Sequence, residues 1–113
     1  MKVIKSIQAE EFKNNDACTA FEYHLDDKEI NVAVIKLDGR YPEKGRVMNT
    51  LCKELSYILK GTGKLFLEDQ IIDVDEGDVV MIEPGEKYYW EGTMTMFVPC
   101  VPAWTKEQHK IVD

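Results

Sequence analysis

Few residues in this chain combine the types and spacings that chemistry needs. Cys18, Cys52 and Cys100 are an odd count without CxxC spacing, which argues against a disulfide framework. They are expected to be free thiols in a reducing, cytoplasmic setting. The two histidines, His24 and His109, lie far apart and make no ligand pair. Asp73-Val-Asp-Glu-Gly-Asp78 has the wrong glycine and acidic spacing for a calcium loop and reads as a solvated turn. Gly61-Thr-Gly63 lacks the third glycine and the following helix of a dinucleotide fingerprint. The doublets Glu10-Glu11 and Asp26-Asp27 read as solvated surface.

What remains is a set that depends on strand parity. Turn signals recur at Asp38-Gly39, Pro42 to Gly45, Gly61-Thr-Gly63, Glu68-Asp69, Glu76-Gly77, Pro84-Gly85 and Glu91-Gly92. Between them lie short segments rich in Val, Ile, Leu, Tyr and Phe, too short for stable helices and suited to strands. This rhythm predicts an all-β sandwich or barrel. Side chains alternate along a strand, so Glu54, Ser56 and Ile58 share one face, as do Tyr88 and Trp90. Cys52 shares parity with Met48 and Thr50 if that strand runs so far.

Helix is expected only at the ends. One turn is predicted over residues 8–13, and a capping box at Thr105-Lys-Glu-Gln108 predicts a short helix from 106 to about 111. Trp104, just before the cap, is placed to pin this tail to the barrel.

The composition bounds the rest. A chain of 113 residues with 44% hydrophobic and 31% charged content builds one globular domain, residues 1–113, with a single core. Fourteen Lys+Arg against twenty-one Asp+Glu give a net charge of -7, which repels phosphate backbones and anionic lipid. Nucleic acid and membrane are therefore not expected partners. No stretch approaches the ~20 apolar residues of a membrane span. The N-terminal Met1-Lys-Val-Ile-Lys-Ser6 has no sustained apolar core, so no secretory signal is read there.

Residues Val47 to Trp90 resemble the cupins, small double-stranded β-barrels of the jelly-roll type. Glu54 and Gly61 have six residues between them, as the glutamate and closing glycine of the first cupin motif do. The motif's paired histidines then fall on Met48 and Thr50, and its leading glycine on Pro42. In the second motif Gly77 and Gly85 match, the proline falls on Glu83 beside Pro84, the histidine on Tyr88 and the asparagine on Gly92. The resemblance implies a double-stranded β-helix (jelly-roll or cupin barrel) with short terminal helical turns.

It also implies where a metal would sit in other cupins, held by three imidazoles and a carboxylate. Met48, Thr50, Glu54 and Tyr88 occupy those places, and a divalent ion would keep one strong donor. No metal and no cofactor are expected. The expected site is a receptacle for a small organic molecule, possible identities being a carbohydrate derivative or an aromatic acid. Its candidate lining is Met48, Thr50, Cys52, Glu54, Ser56, Tyr88 and Trp90. Glu54 is expected to accept a bond from Tyr88, Thr50 or Ser56, or to have a raised pKa.

Two other readings stand beside this one. The first is an isomerase, epimerase or lyase in which Glu54 serves as base and Tyr88 as acid. The second is a metal-dependent cupin with unconventional ligands, drawn from Cys52, Cys100, Met48 and Glu54. Small cupins commonly pair through their sheets, so a homodimer is expected, with Val3-Ile4 and residues 31–37 as apolar edges.

Overall fold

A computed structural model describes residues 1–113. Its nine strands are β1 (Glu10–Asn15), β2 (Cys18–Tyr23), β3 (Asn31–Tyr41), β4 (Arg46–Asn49), β5 (Lys53–Leu67), β6 (Gln70–Val74), β7 (Val79–Ile82), β8 (Tyr88–Val101) and β9 (His109–Val112). All pairings are antiparallel. The sheet curls into a half-barrel, and the fold is the all-β cupin type.

β8 is the spine of this barrel. Its side chains alternate almost without fault: Tyr88, Trp90, Met94, Met96, Val98 and Cys100 are buried. One flank of β8 pairs with β3 from Asn31↔Cys100 to Tyr41↔Trp90, and the other with β5 from Lys53↔Val101 to Leu67↔Tyr88. β2 and β1 extend the β3 side. β5 is long enough to take β7 along its first half and β6 along its second. Ile58, Leu65, Val74, Ile82 and Val47 join the β8 side chains in one core.

Three of the expected turns are bends inside long strands. Gly39, Gly92 and Gly63 face one another in register across β3, β8 and β5. A Cβ on Gly92 would fall 2.5 Å from the Gly63 Cα, so the backbones approach there as only glycine allows. The glycines mark the corner where the sheet folds over, and the flanking segments fuse into single strands. The true reversals lie at Pro42–Gly45, Glu68-Asp69, Glu76-Gly77 and Pro84-Gly85.

The ends also differ in detail from expectation. The N-terminal turn is a 3-10 turn at Ser6–Gln8, and residues 10–13 belong to β1. At the C-terminus Lys106–Gln108 make one 3-10 turn, after which the chain enters β9 instead of continuing a helix. Thr105 makes no capping bond to the backbone, and β9 gains a full register with β4. The sheet pairing outweighs a helix of barely more than one turn. Residues 31–37 are interior, between β2 and β8, so they are no free edge for a second copy.

Candidate functional site

The barrel opens on a cavity of about 1210 Å3. Glu54, Ser56, Tyr88 and Trp90 line it, as strand alternation predicts. Met48, Thr50 and Cys52 do not. β4 ends at Asn49, the chain bends at Thr50-Leu51, and β5 starts afresh at Lys53, so parity is not carried from Met48 to Glu54. Val47 and Asn49 are the buried residues of β4, while Thr50 is exposed. Cys52 is fully buried beside Cys100, behind the cavity wall.

Glu54 is the centre of the polar floor. Tyr88 Oη donates to Glu54 Oε2 at 3.2 Å, and Asn49 Nδ2 donates to Glu54 Oε1 at 3.3 Å. The Cys100 thiol points at Oε1 from 3.9 Å. Neither Thr50 nor Ser56 is a partner, and the Ser56 hydroxyl has none at all. Burial pushes the Glu54 carboxyl above its ordinary pKa, against the lowering effect of Tyr88, Asn49 and Cys100. Burial and the neighbouring carboxylate hold the Tyr88 phenol well above its usual range.

A second polar half comes from residues that the motif spacing does not reach. Pairing of β4 with β9 sets His109 opposite Asn49. His109 Nδ1 lies 2.7 Å from Asn49 Oδ1, and its Nε2 lies 2.9 Å from Tyr41 Oη. Trp104 Nε1 donates to the same Asn49 oxygen at 3.1 Å. His109 sits between Tyr41, whose ring lies nearly parallel to it, and the tilted indole of Trp104. Burial lowers the His109 pKa to about 4, so the imidazole is neutral near pH 7. Burial likewise raises the Tyr41 phenol. Tyr41, Trp104 and His109 all border the cavity, and Asn49 links their half of the site to Glu54.

The tail that carries Trp104 and His109 is tied down by side-chain amides. Asn31 grips the Trp104 backbone from both sides, donating to its carbonyl at 2.9 Å and accepting from its N–H at 2.8 Å. The buried Gln108 side chain accepts from the amides of Cys52 at 2.8 Å and Leu51 at 3.3 Å, and donates to the Ala103 carbonyl at 3.2 Å. Gln108, predicted to reach back as a helix cap, instead stitches the tail to the Thr50–Cys52 bend. The expected role of Trp104 as a pin is met by its bond to Asn49.

These residues do not suit a metal ion. No group of three or more His, Cys, Asp and Glu side chains converges to hold one. Glu54 is surrounded by a phenol, an amide and a thiol whose pKa is pushed up by its Cys52 neighbour and by burial. His109 is turned towards Asn49 and Tyr41, not towards Glu54.

Comparison with known proteins supports the same fold. No family model matches the chain, and no curated protein matches it in sequence. Solved structures do. A Streptomyces Pac13 variant in complex with uridine superimposes with a TM-score of 0.90 at 17% identity, covering 100% of this chain and 92% of that one. Pac13 is described as a nucleoside dehydratase, and its uridine complexes include variants that replace a histidine or one of two tyrosines. The ectoine synthase of P. lautus matches with a TM-score of 0.76 at 13% identity over 100% of this chain and 86% of its own. The polyketide cyclase RemF of Streptomyces resistomycificus gives 0.77 at 13% identity, with the same two coverages of 100% and 86%. The chain therefore has the architecture of a cupin-type barrel, one that serves different chemistries in these proteins.

Proposed function

We propose that this chain binds a small polar organic molecule inside the barrel, at a site that uses no metal ion. The observation that carries this reading is the half-buried Glu54 carboxyl on the floor of an open cavity, held by Tyr88 and Asn49. A carboxyl that is merely a relic needs no cavity above it, and closing the space with apolar side chains would remove its desolvation cost. The walls add Tyr41, Trp90 and Trp104, aromatic surfaces on which a sugar or heterocyclic ring packs. The cavity exceeds the few hundred Å3 that a nucleoside-sized ligand occupies.

Thermal-shift and calorimetric titration with nucleosides, sugars and their derivatives test the proposal. Saturable binding is expected for at least one class, weakened at least tenfold in Glu54→Gln. Failure of every class to bind would reject it.

A second reading, proton transfer to or from the bound molecule, is favoured by the raised pKa of Glu54, which brings that carboxyl nearer the range of a working acid–base group. Among proteins of this architecture, the Pac13 dehydratase acts on a nucleoside. In this reading Glu54→Gln abolishes turnover, and Tyr88→Phe, which removes the bond to Glu54, shifts its pH dependence.

A further inference from the structure

The direction of each hydrogen bond on the cavity floor follows from its chemistry. Trp104 Nε1–H is a donor only, so the Asn49 atom it meets at 3.1 Å is the amide oxygen. The Asn49 amide nitrogen then faces Glu54. His109 Nδ1 lies 2.7 Å from that same oxygen and must carry the imidazole proton. A neutral imidazole has one proton, so Nε2 is bare and accepts from the Tyr41 hydroxyl at 2.9 Å. The Tyr88 hydroxyl is likewise committed to Glu54 Oε2.

Each phenol has one proton and two lone pairs. With both protons spent inside the protein, Tyr41 and Tyr88 turn only lone pairs towards a ligand. Glu54 adds the lone pairs that Tyr88, Asn49 and the Cys100 thiol leave free. Ser56, whose hydroxyl has no partner, takes either role.

We infer that the floor formed by Tyr41, Glu54 and Tyr88 selects molecules that present hydrogen-bond donors to it, hydroxyls or an amine, and rejects acids. This refines the binding reading above and rests on it. An acidic ligand would set lone pair against lone pair, place its charge beside the Glu54 carboxyl, and enter a protein of net charge -7. Of the two ligand types suggested by the sequence, the carbohydrate derivative fits this floor and the aromatic acid does not. Asn49 is the specificity-setting residue: it fixes the proton on His109 Nδ1 and so the orientation of the Tyr41 hydroxyl, although it touches Tyr41 only through His109.

Two measurements test the inference separately from the binding reading. The first is the 15N spectrum of the His109 ring at pH 7 in the free protein. A proton on Nδ1 is expected, and a proton on Nε2 would overturn the inference whether or not anything binds. The second is affinity within matched pairs, uridine against 2′,3′-dideoxyuridine for hydroxyl donors and tyramine against 4-hydroxyphenylacetate for an amine donor. The donor-bearing member should bind at least tenfold tighter in whichever pair binds, and the pair that responds tells hydroxyl from amine. An acid or dideoxy member that binds as well as its counterpart would overturn the inference. If none of the four binds, the result counts against the binding reading, and the His109 spectrum still decides the donor direction.

Discussion

Acidification should destabilise this protein through a single imidazole. His109 is enclosed by Tyr41, Trp104 and Asn49, and burial takes its pKa from 6.5 to about 4. The unfolded chain therefore takes up a proton at this site before the folded one does. The stability that His109 contributes by remaining neutral is complete above pH 6.5 and shrinks as the pH falls towards 4. At about 1.4 kcal/mol per pKa unit the full effect is at most about 3 kcal/mol, and about 2 once partial exposure of the ring is allowed for. Glu54 and Glu22, whose pKa values are raised mainly by burial, act in the opposite sense: each favours the folded state at low pH and loses that contribution as the pH rises through its folded pKa. A comparison with His109→Phe, which keeps a ring between Tyr41 and Trp104, isolates the imidazole. Urea unfolding at pH 7.5, 6.0 and 4.5 should show the wild type losing about 2 kcal/mol more than the variant across that interval. Equal losses in both proteins would refute the reasoning, because they would mean that His109 takes up its proton alike in both states.

Other perturbations follow from the same geometry. Gly61→Ala places a Cβ 2.1 Å from the Thr93 carbonyl oxygen at a φ of +88°, and should cost more than about 2 kcal/mol in urea unfolding. Gln108→Leu strips the Leu51 and Cys52 amides of their shared acceptor. It should cost about 2 kcal/mol and speed hydrogen exchange at His109 and the rest of β9 before the core strands respond. Met48→Ala and Thr50→Ala, lying outside the cavity, should change ligand affinity less than twofold by calorimetry, whereas Tyr41→Phe should weaken it about tenfold.

Much of the barrel is legible in the chain because alternation along β8 and the first half of β5 is a direct record of burial. Tyr88, Trp90, Glu54 and Ser56 reach the cavity for that reason. Glycine is a poorer guide. Gly39, Gly63 and Gly92 look like turn residues, yet they serve close strand approach, a need set by neighbours distant in sequence. Parity also fails across a bend: the three residues outside strand after Asn49 are enough to move Met48 and Thr50 out of the site and bring Asn49 in. The other half of the site is hidden for a similar cause. His109 and Tyr41 lie 68 positions apart, and only the pairing of β9 with β4 brings them together. A capping box at Thr105 suggests a helix, whereas a four-residue strand without alternating burial gives no comparable signal. Trp104 is the local sign in the sequence that the tail belongs to the barrel wall.

The most direct test of a metal-independent organic site is a crystallographic soak of the protein with a library of small polar fragments. Ordered organic density is predicted within hydrogen-bond distance of Glu54, Tyr88 and Tyr41, with His109 still bonded to Asn49. A chelated cation at Glu54, or a barrel whose side chains close over it and admit no fragment, would contradict the account.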